Sequence, residues 1–429
     1  MKKIFCIIIL LASAVWMAEA QTVLTLDQCL AIAREHNLSL RAAENDVESS
    51  KLSREELLTT KLPETHLEGS AIYAPSSGHF GYDPIISNSG QLSAQIVAKQ
   101  SVYDGGVRNL RIDEAAVDIG LRNKELRQTE RDLVYSVKQA YIETLRSKDE
   151  IQLQQESARQ LAEYLERVKQ LSGAGSASYT DILKTQVQLA DAKISLEESE
   201  QAYANAKYSL AELLGTSIDT TFTVAGTLSD LSSTSADSTL LESDDSLQTL
   251  DLSIAAMTIQ RNALEVDLTR HELSPLVSIV GDAGLLTSRD NLRLPYDQRA
   301  GLVGYSVGLL IEFPFFNWGA TDLRVQQKER AVSDLQFQYE LLRRSYSSES
   351  KKLRSRLGTL RKRLAELREN QKMAEENFLM TKSKYLSGGA LSLEVLSAQQ
   401  LLTDSKISEL ETLAEIGIVA ARMEQLYAE

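Results

Sequence analysis

The chain has 429 residues, with 46 Lys and Arg against 60 Asp and Glu, so its formal net charge is -14 at pH 7. This acidity argues against nucleic-acid binding, which relies on Lys and Arg to neutralise phosphates. Aromatic residues make up 6% of the chain and charged residues 25%, a balance that suits long helices better than thick globular cores. The composition therefore favours a long, thin protein.

The first twenty residues have the pattern of a secretory signal peptide. Two lysines precede an apolar run over residues 4–15, and Ala18-Glu19-Ala20 supplies the small residues that signal peptidase accepts. The run is too short to span a membrane. We therefore expect residues 1–20 to be removed, which leaves Cys29 as the single cysteine and rules out an intrachain disulfide or a cysteine metal cluster.

Two helices are predicted at the start of the mature chain. Thr25-Leu-Asp-Gln28 has the form of a capping box, in which the Thr and Gln side chains bond free amides at a helix start. Asn37 is expected to end this helix in the left-handed conformation, and Ser39 is expected to cap a second helix that stops before Pro63.

Alternating apolar and polar residues then predict a β-hairpin over residues 64–103, and the same pattern predicts a second hairpin over residues 275–315. The apolar face of the last strand, which we expect to contact lipid, comprises Val303, Tyr305, Val307, Leu309, Ile311 and Phe313. An aromatic girdle is expected from Tyr103, Phe315, Phe316 and Trp318. Strands of about ten residues with one apolar face have outer-membrane dimensions, but a soluble sandwich also alternates, so the strands alone leave both structures open.

A long heptad-patterned helix is predicted after each hairpin. Residues 107–171 contain no proline and have apolar residues every seven positions, which indicates helices that supercoil against neighbours. About 65 residues would extend roughly 100 Å. Glycine-containing turns over 171–178 and 386–392, the first expected to be two residues longer, lead into return helices over 181–214 and 393–427.

The two halves of the chain repeat one another at an offset of 213 residues. The matched positions include Leu183 and Leu396, Gln186 and Gln399, Asp191 and Asp404, Lys193 and Lys406, and Ile194 and Ile407. We expect one repeat over residues 21–215 and a second over 246–429. A Thr-, Ser- and Asp-rich linker over 216–245 joins them, with a short strand at Thr221 to Val224.

Four strands per chain imply an oligomer. The smallest closed membrane barrel needs about eight strands, and open strand edges cannot face lipid. Two copies would provide eight strands and three copies twelve, and the residues themselves do not choose between them.

In this order, the motifs resemble those of the TolC-type outer-membrane efflux protein family over essentially the whole mature chain. The resemblance rests on Leu26-Asp27, Ala31-Ile-Ala33 running into Asn37, Leu62-Pro63, Tyr103-Asp-Gly-Gly106, Phe316-Asn-Trp-Gly319 and both glycine turns. It implies an α+β membrane protein of a Gram-negative outer membrane: a trimeric 12-strand β-barrel continued by a periplasmic α-helical coiled-coil barrel. The implied function is an exit duct for drugs, toxic small molecules or polypeptides, in a tripartite efflux pump or type I secretion system. The implied partners are two further copies, a periplasmic membrane-fusion adaptor, an inner-membrane transporter of RND, ABC or MFS type, and outer-membrane lipid, with no cofactor.

The same resemblance assigns roles to the residues of the two turns. It implies that Gly173, Gly175, Gly388 and Gly389 lie at a periplasmic tip that contacts the adaptor, and that Asp181 and Glu394 form a selective constriction. Rings of carboxylates at a narrow pore would attract cations. Carboxylates just after a turn also stabilise helix N-termini, which is the alternative explanation. The family often has a further acid where this chain has Ser397.

Two other classes of function fit the sequence less well. A secreted coiled-coil scaffold or adhesin would also contain long heptad helices, but it would not explain a membrane-like hairpin before each one. An enzyme is not expected, because the four histidines are scattered at His36, His66, His79 and His271 and no catalytic or metal-ligand spacing is present.

Overall fold

The computed structural model describes residues 23–74, 76–77, 80–81, 90–215, 222–229, 249–288, 292 and 303–427. The predicted signal peptide lies outside these residues, as do most of the linker and most of both hairpin loops. The chain divides into two compact units. The helical unit contains the described residues within 1–43, 126–250 and 342–429, and the sheet unit contains those within 44–125 and 251–341.

The secondary structure contains both predicted hairpins and both pairs of long helices. The first half consists of β1 (Val23–Leu24), α1 (Leu26–His36), α2 (Leu38–Thr59), β2 (Glu64–Tyr73), β3 (Ser76–Ser77), β4 (Phe80–Gly81), β5 (Gly90–Tyr103), α3 (Val107–Gly173) and α4 (Tyr179–Leu214). The second half consists of β6 (Thr223–Val224), α5 (Leu250–Arg270), a 3₁₀ turn (His271–Leu273), β7 (Leu276–Ser288), β8 (Val303–Glu312), α6 (Ala320–Leu386) and α7 (Ser392–Tyr427). Strand β6 confirms the short strand predicted inside the linker.

The long helices repeat in length as well as in sequence. Helices α3 and α6 each have 67 residues, and α4 and α7 each have 36. All four helix boundaries recur at an offset of 213, so both connecting turns have five residues and the predicted difference in turn length is wrong. Among the described residues, no helix is both long enough and apolar enough to cross a membrane.

The predicted start of α1 is confirmed, but the junction with α2 differs from the prediction. The Gln28 amide donates to Thr25 Oγ1 at 3.3 Å, and the Thr25 amide donates to Gln28 Oε1 at 2.9 Å, which completes the capping box. Asn37 has an extended backbone, not a left-handed one, and its Oδ1 accepts from the amides of Ser39 and Leu40. Asn37, and not Ser39, is thus the N-cap of α2. The side-chain oxygen of Asn can accept from the free amides of a first helical turn as readily as the side-chain oxygen of Ser.

The four main strands of the sheet unit form one antiparallel sheet in the order β2-β5-β7-β8. The two hairpins join along β5 and β7, and Gly284 lies at this junction. A Cβ atom on Gly284 would lie 2.2 Å from the Ala94 carbonyl oxygen, so only glycine allows the strands to approach this closely. The register keeps apolar residues on one face: Leu67 pairs with Ile96, Ile96 with Ala283, and Ala283 with Tyr305.

The core of the helical unit is built from small and aliphatic side chains of α1, α3, α4 and α7. Its fully buried members include Val137 and Leu145 of α3 and Leu210 of α4. Strand β1 pairs with β6 in parallel beside this core. The Tyr141 hydroxyl of α3 bonds the Ala225 carbonyl oxygen at 2.8 Å and lies 3.2 Å from the Leu24 carbonyl oxygen. Tyr141 therefore fastens the two-stranded pair to the helices, and burial raises the pKa of its phenol to about 12.

We expect Tyr141→Phe to lower the free energy of unfolding by about 1–3 kcal/mol, because it leaves a partly buried carbonyl without its donor. Thermal unfolding in detergent, followed by circular dichroism, measures this. The matched control is Tyr179→Phe, whose hydroxyl belongs to an exposed ring and should matter little. Equal midpoints for both variants would contradict the role of Tyr141.

Candidate functional site

The two turns that join the long helices have the same hydrogen-bonded form. Gly175 and Gly388 have φ angles of 78° and 79°, in the left-handed region that glycine tolerates best. The Ser176 amide donates to the Leu171 carbonyl at 2.8 Å, and the Gly389 amide, 213 positions later, donates to the Lys384 carbonyl at 2.8 Å. Both turns therefore close their helices with a Schellman motif.

The two other glycines at the turns have more steric freedom. A Cβ atom on Gly173 would meet no atom within 4 Å, and one on Gly389 would make only an ordinary contact, 3.6 Å from the Lys384 carbonyl oxygen. Neither has a positive φ. Gly173 and Gly389 could thus be replaced without backbone strain, whereas Gly175 and Gly388 could not.

Asp181 and Glu394 occupy equivalent helix positions but have different surroundings. The Ser178 amide donates to Asp181 Oδ2 at 3.2 Å, and the Thr180 amide donates to Ser178 Oγ at 3.2 Å, which forms a capping box at the start of α4. Glu394 is exposed, and the equivalent cap position holds Leu391. The helix-terminus explanation thus has a geometric basis for Asp181, while Glu394 presents its carboxylate to solvent.

A pair of tyrosines lies behind these turns, and sequence reasoning missed it. The Tyr164 and Tyr385 rings, from α3 and α6, have centroids 5.5 Å apart. The Tyr164 hydroxyl donates to Ser392 Oγ, at the start of α7, at 3.1 Å. Burial raises the pKa of both phenols, so both remain neutral at physiological pH. The pair therefore joins the ends of the two helical hairpins, a contact between residues 221 positions apart that no local pattern could indicate.

A groove with a volume of about 730 Å³ runs between α4 and α7 next to the turns. Its walls include the apolar side chains of Leu183, Val187, Leu393 and Leu401, all substantially exposed. These four residues have ordinary helical spacing, so the sequence alone does not indicate a groove. Exposed apolar side chains along a concave helical surface are typical of protein-binding sites.

All ten residues of β8, apolar and polar alike, are exposed. The alternate residues from Val303 to Ile311 are between 62% and 84% exposed. Phe313 was assigned to the same strand, but β8 ends at Glu312. Pro314 follows, and because proline lacks an amide donor it disfavours continued pairing at this point. Phe313 is nevertheless exposed beside the strand end.

The other face of the sheet is polar. Asp282, on the central strand β7, accepts a hydrogen bond from Gln95 Nε2 of β5 at 3.0 Å and another from Ser306 Oγ of β8. Ser70 and Ser93, from β2 and β5, have hydroxyl oxygens 2.8 Å apart. This face thus carries hydrogen-bonded polar groups across all four strands.

The residues predicted to form an aromatic girdle flank the ends of strands. Tyr103 is the last residue of β5, where the register shifts between Ser101 and Tyr103. Phe315, Phe316 and Trp318 follow β8 and are exposed. Phe316 and Trp318 make an edge-to-face contact with centroids 4.8 Å apart. Amphipathic aromatic rings at strand ends are common at membrane interfaces.

Within the described ranges, no group of three or more His, Cys, Asp or Glu side chains could hold a metal ion. What the described residues offer instead is a sheet with one apolar and one polar face, and helical turns beside an apolar groove.

The fold is similar to that of three solved proteins. A crystal structure of CusC, described in terms of transmembrane channel formation, has a TM-score of 0.79 and 16% identity, covering 94% of this chain and 92% of that one. The outer membrane protein VceC from Vibrio cholerae has a TM-score of 0.75 and 16% identity, covering 94% and 96%. The CmeC outer membrane channel from Campylobacter jejuni has a TM-score of 0.77 and 13% identity, covering 94% and 85%.

Sequence comparison supplies the family. No curated protein matches the chain. The family model "Outer membrane efflux protein" matches residues 30–216 and 244–428, which together make up most of the chain. The resemblance to TolC-type channels is thereby confirmed, and the outer membrane is the location of this protein. The chain belongs to the outer membrane efflux protein family.

Proposed function

We propose that three copies of this chain form a passive exit duct through the outer membrane, which receives cargo from a periplasmic adaptor and an inner-membrane transporter. The observation that carries this proposal is the two-faced sheet, apolar on one side and polar on the other, in a chain of the outer membrane efflux protein family. A lipid-exposed face and a water-exposed face are what the wall of a membrane channel requires.

The proposed trimer follows from strand number together with family. Strands β2 and β8 are the edges of the four-stranded sheet. Their outward backbone groups would be unpaired in lipid, at a cost of several kcal/mol for each group, unless neighbouring copies pair with them. Three copies supply twelve strands, and β8 of one copy would pair with β2 of the next.

The sequence repeat supports equivalent roles for the two halves of each copy. Residues 21–215 and 246–429 would each contribute one β-hairpin to the barrel wall and one helical hairpin to a periplasmic tunnel wall, with residues 216–245 as a linker. The equal helix lengths and equivalent Schellman turns of the two hairpins support this arrangement. The tunnel would carry either small toxic compounds or secreted polypeptides, and transporters of RND, ABC or MFS type would each be compatible partners.

The glycine turns and the apolar groove support an adaptor contact. Gly173, Gly175, Gly388 and Gly389 provide a surface with few protruding side chains, and the groove beside them has exposed Leu and Val side chains. A helical hairpin of an adaptor could place its apolar residues in such a groove.

Asp181 and Glu394 would form the constriction of the duct. A threefold ring of Glu394 carboxylates would favour cations, since clustered negative charge in a narrow pore raises the local concentration of counter-ions. Asp181 would contribute less, because its carboxylate is already bonded to the start of α4.

Changing Val307 or Leu309 to Arg should block outer-membrane assembly, because each arginine costs about 2–4 kcal/mol at mid-membrane and occurs three times per trimer. Membrane fractionation and heat-resistant trimer on gels would measure assembly. The matched control is Gly308→Arg on the intervening position, whose Cβ atom would meet nothing within 4 Å. We expect this control to assemble. Normal assembly and export with Val307→Arg would refute the proposed lipid contact.

The double variant Asp181→Ala, Glu394→Ala should raise conductance in planar bilayers or reduce cation selectivity several-fold, with most of the effect from Glu394. The charge-conserving variant Asp181→Glu, Glu394→Asp is the control and should retain wild-type selectivity. If both variants conduct and select as the wild type does, these carboxylates do not form the constriction.

Replacing Gly173 with Phe should weaken binding of the cognate adaptor about tenfold, because the ring would protrude from the tip without straining α3. Gly173→Ala at the same position is the control and should bind normally. Pull-down or surface plasmon resonance with the purified adaptor measures the difference. Equal binding by both variants would remove this turn from the contact.

A further inference from the structure

The helical unit contains a pocket with a volume of about 400 Å³ between α1, α3 and α7. Helix α1 contributes Arg34, helix α3 contributes residues between 127 and 138, and helix α7 contributes residues between 421 and 425. None of these residues is assigned to the barrel wall, the glycine turns or the constriction. The volume lies within the range of pockets that hold small organic ligands.

Positive charge exceeds negative charge among the residues that line this pocket. The cations are Arg34, Arg127, Arg131 and Lys138, and the carboxylates are Glu130 and Glu424. The chain as a whole has a formal net charge of -14, so the excess of positive charge is a local feature. Cations gathered on a concave surface attract anions from solution.

Two of the cations are paired with the two carboxylates of the pocket. Arg34 Nε of α1 lies 2.9 Å from Glu130 Oε1 of α3, and Lys138 of α3 pairs with Glu424 of α7. These ion pairs connect the three helices that form the walls. Their role is therefore explained by the packing of the helices alone.

The other two cations, Arg127 and Arg131, lie one turn apart on α3 and are not explained by helix packing in this way. Arg131 is largely buried, and its Nε and Nη2 atoms donate to Asp132 Oδ1 at 3.0 and 2.9 Å. Arg127 is exposed and makes no ion pair with any described residue. Like charges four residues apart on a helix are destabilising, and an anion placed beside both guanidinium groups would remove that cost.

The remaining walls of the pocket are apolar and fixed in position. Val134 and Ala421 provide aliphatic surface, and Tyr135 provides an aromatic ring. Gln425 Nε2 of α7 donates to Asp132 Oδ1 of α3 at 2.7 Å, which ties the two walls together. Because the walls are held before a ligand arrives, binding would cost little ordering of the protein.

We infer that this pocket binds a small organic anion. Its carboxylate or phosphate group contacts Arg127, with Arg131 supplying further positive charge, and its apolar body lies against Val134 and Tyr135. Guanidinium groups bond both kinds of oxyanion through pairs of N–H donors. The site is separate from the proposed duct, because it involves neither the sheet nor the turns. Its ligand would stabilise the folded helical unit as its concentration rises.

Phosphorus NMR titration of phenyl phosphate into the assembled, detergent-solubilised protein tests this site. We expect a dissociation constant on the order of 0.1–1 mM, in keeping with a ligand of about ten heavy atoms. Raising the ionic strength to about 1 M, where the screening length is about 3 Å, should weaken binding several-fold. If a neighbouring copy covers the pocket, phenyl phosphate will not bind and the inference fails.

Variants of one arginine locate the site. Arg127→Ala should weaken phenyl phosphate binding about tenfold, because a charge-assisted hydrogen bond is lost. Arg127→Lys retains the charge and should lose less. The matched control is Arg167→Ala on the same helix, whose guanidinium bonds Gln170 away from the pocket, and it should bind as the wild type does. Alanine is well tolerated at exposed helix positions, so these variants should fold.

Two further probes separate an organic anion from a simple ion. Inorganic phosphate lacks the ring and should bind about tenfold more weakly than phenyl phosphate, because it buries no apolar surface. Benzylamine has the ring with a positive charge and should not bind. Inorganic phosphate binding as tightly as phenyl phosphate would contradict the apolar part of the site, and benzylamine binding would contradict the anionic part.

The outcomes are independent of those that test the proposed duct. A protein that assembles and conducts but binds no phenyl phosphate, or binds it equally well as wild type and Arg127→Ala, lacks this site while the duct stands. Equal weakening by Arg127→Ala and Arg167→Ala would likewise overturn the assignment to the pocket. A protein that binds phenyl phosphate through Arg127 but does not conduct would retain the site while the proposed function fails.

Discussion

The structure depends on one constraint: a sheet with an apolar face must satisfy its backbone hydrogen bonds in a medium that offers none. Within one copy the constraint is met along β5 and β7, where Gly284 lets the two hairpins join. It is not met at β2 and β8, which are the edges of the four-stranded sheet. An edge strand in lipid is costly, whereas the same edge paired with a neighbouring copy completes the ladder. The sheet therefore makes self-association a condition of function.

In the helical unit, side chains and not backbone groups make the contacts between neighbouring elements. Its helices bond internally, so their outer faces can be exposed to water and need no partner for stability. Within one copy, ion pairs such as Arg422 with Glu349 and Lys138 with Glu424 join neighbouring helices and favour one register among those that an apolar heptad face permits.

Features governed by local chemistry could be predicted from the sequence. The capping box at Thr25 and the glycine turns involve residues at most six positions apart, so their patterns are visible in the chain. Asn37 and Phe313 show the limit of such patterns. Asn37 can end one helix or start the next, and which occurs depends on the junction between them. Phe313 continues an alternating pattern that Pro314 interrupts.

Contacts between distant residues could not be predicted in this way. The bond from Tyr141 to Ala225 and the packing of Tyr164 on Tyr385 depend on how helices are placed side by side. The groove beside the turns has the same origin, since its leucines have ordinary helical spacing. Asp181 illustrates a third case, because one carboxylate satisfies both a capping pattern and a proposed constriction. Only its bond to the Ser178 amide reveals the local role.

The equal length of α3 and α6 limits how this chain can change during evolution. One inserted residue would move a turn by about 1.5 Å and rotate everything beyond it by 100°. A change confined to one repeat would place the two Schellman turns at different distances along the helix axes. It would also misalign the faces of neighbouring helices. Length can therefore vary only if both repeats change together, or in segments outside the helices. The loops and the linker are free to diverge in length, while the two 67-residue helices must change length together.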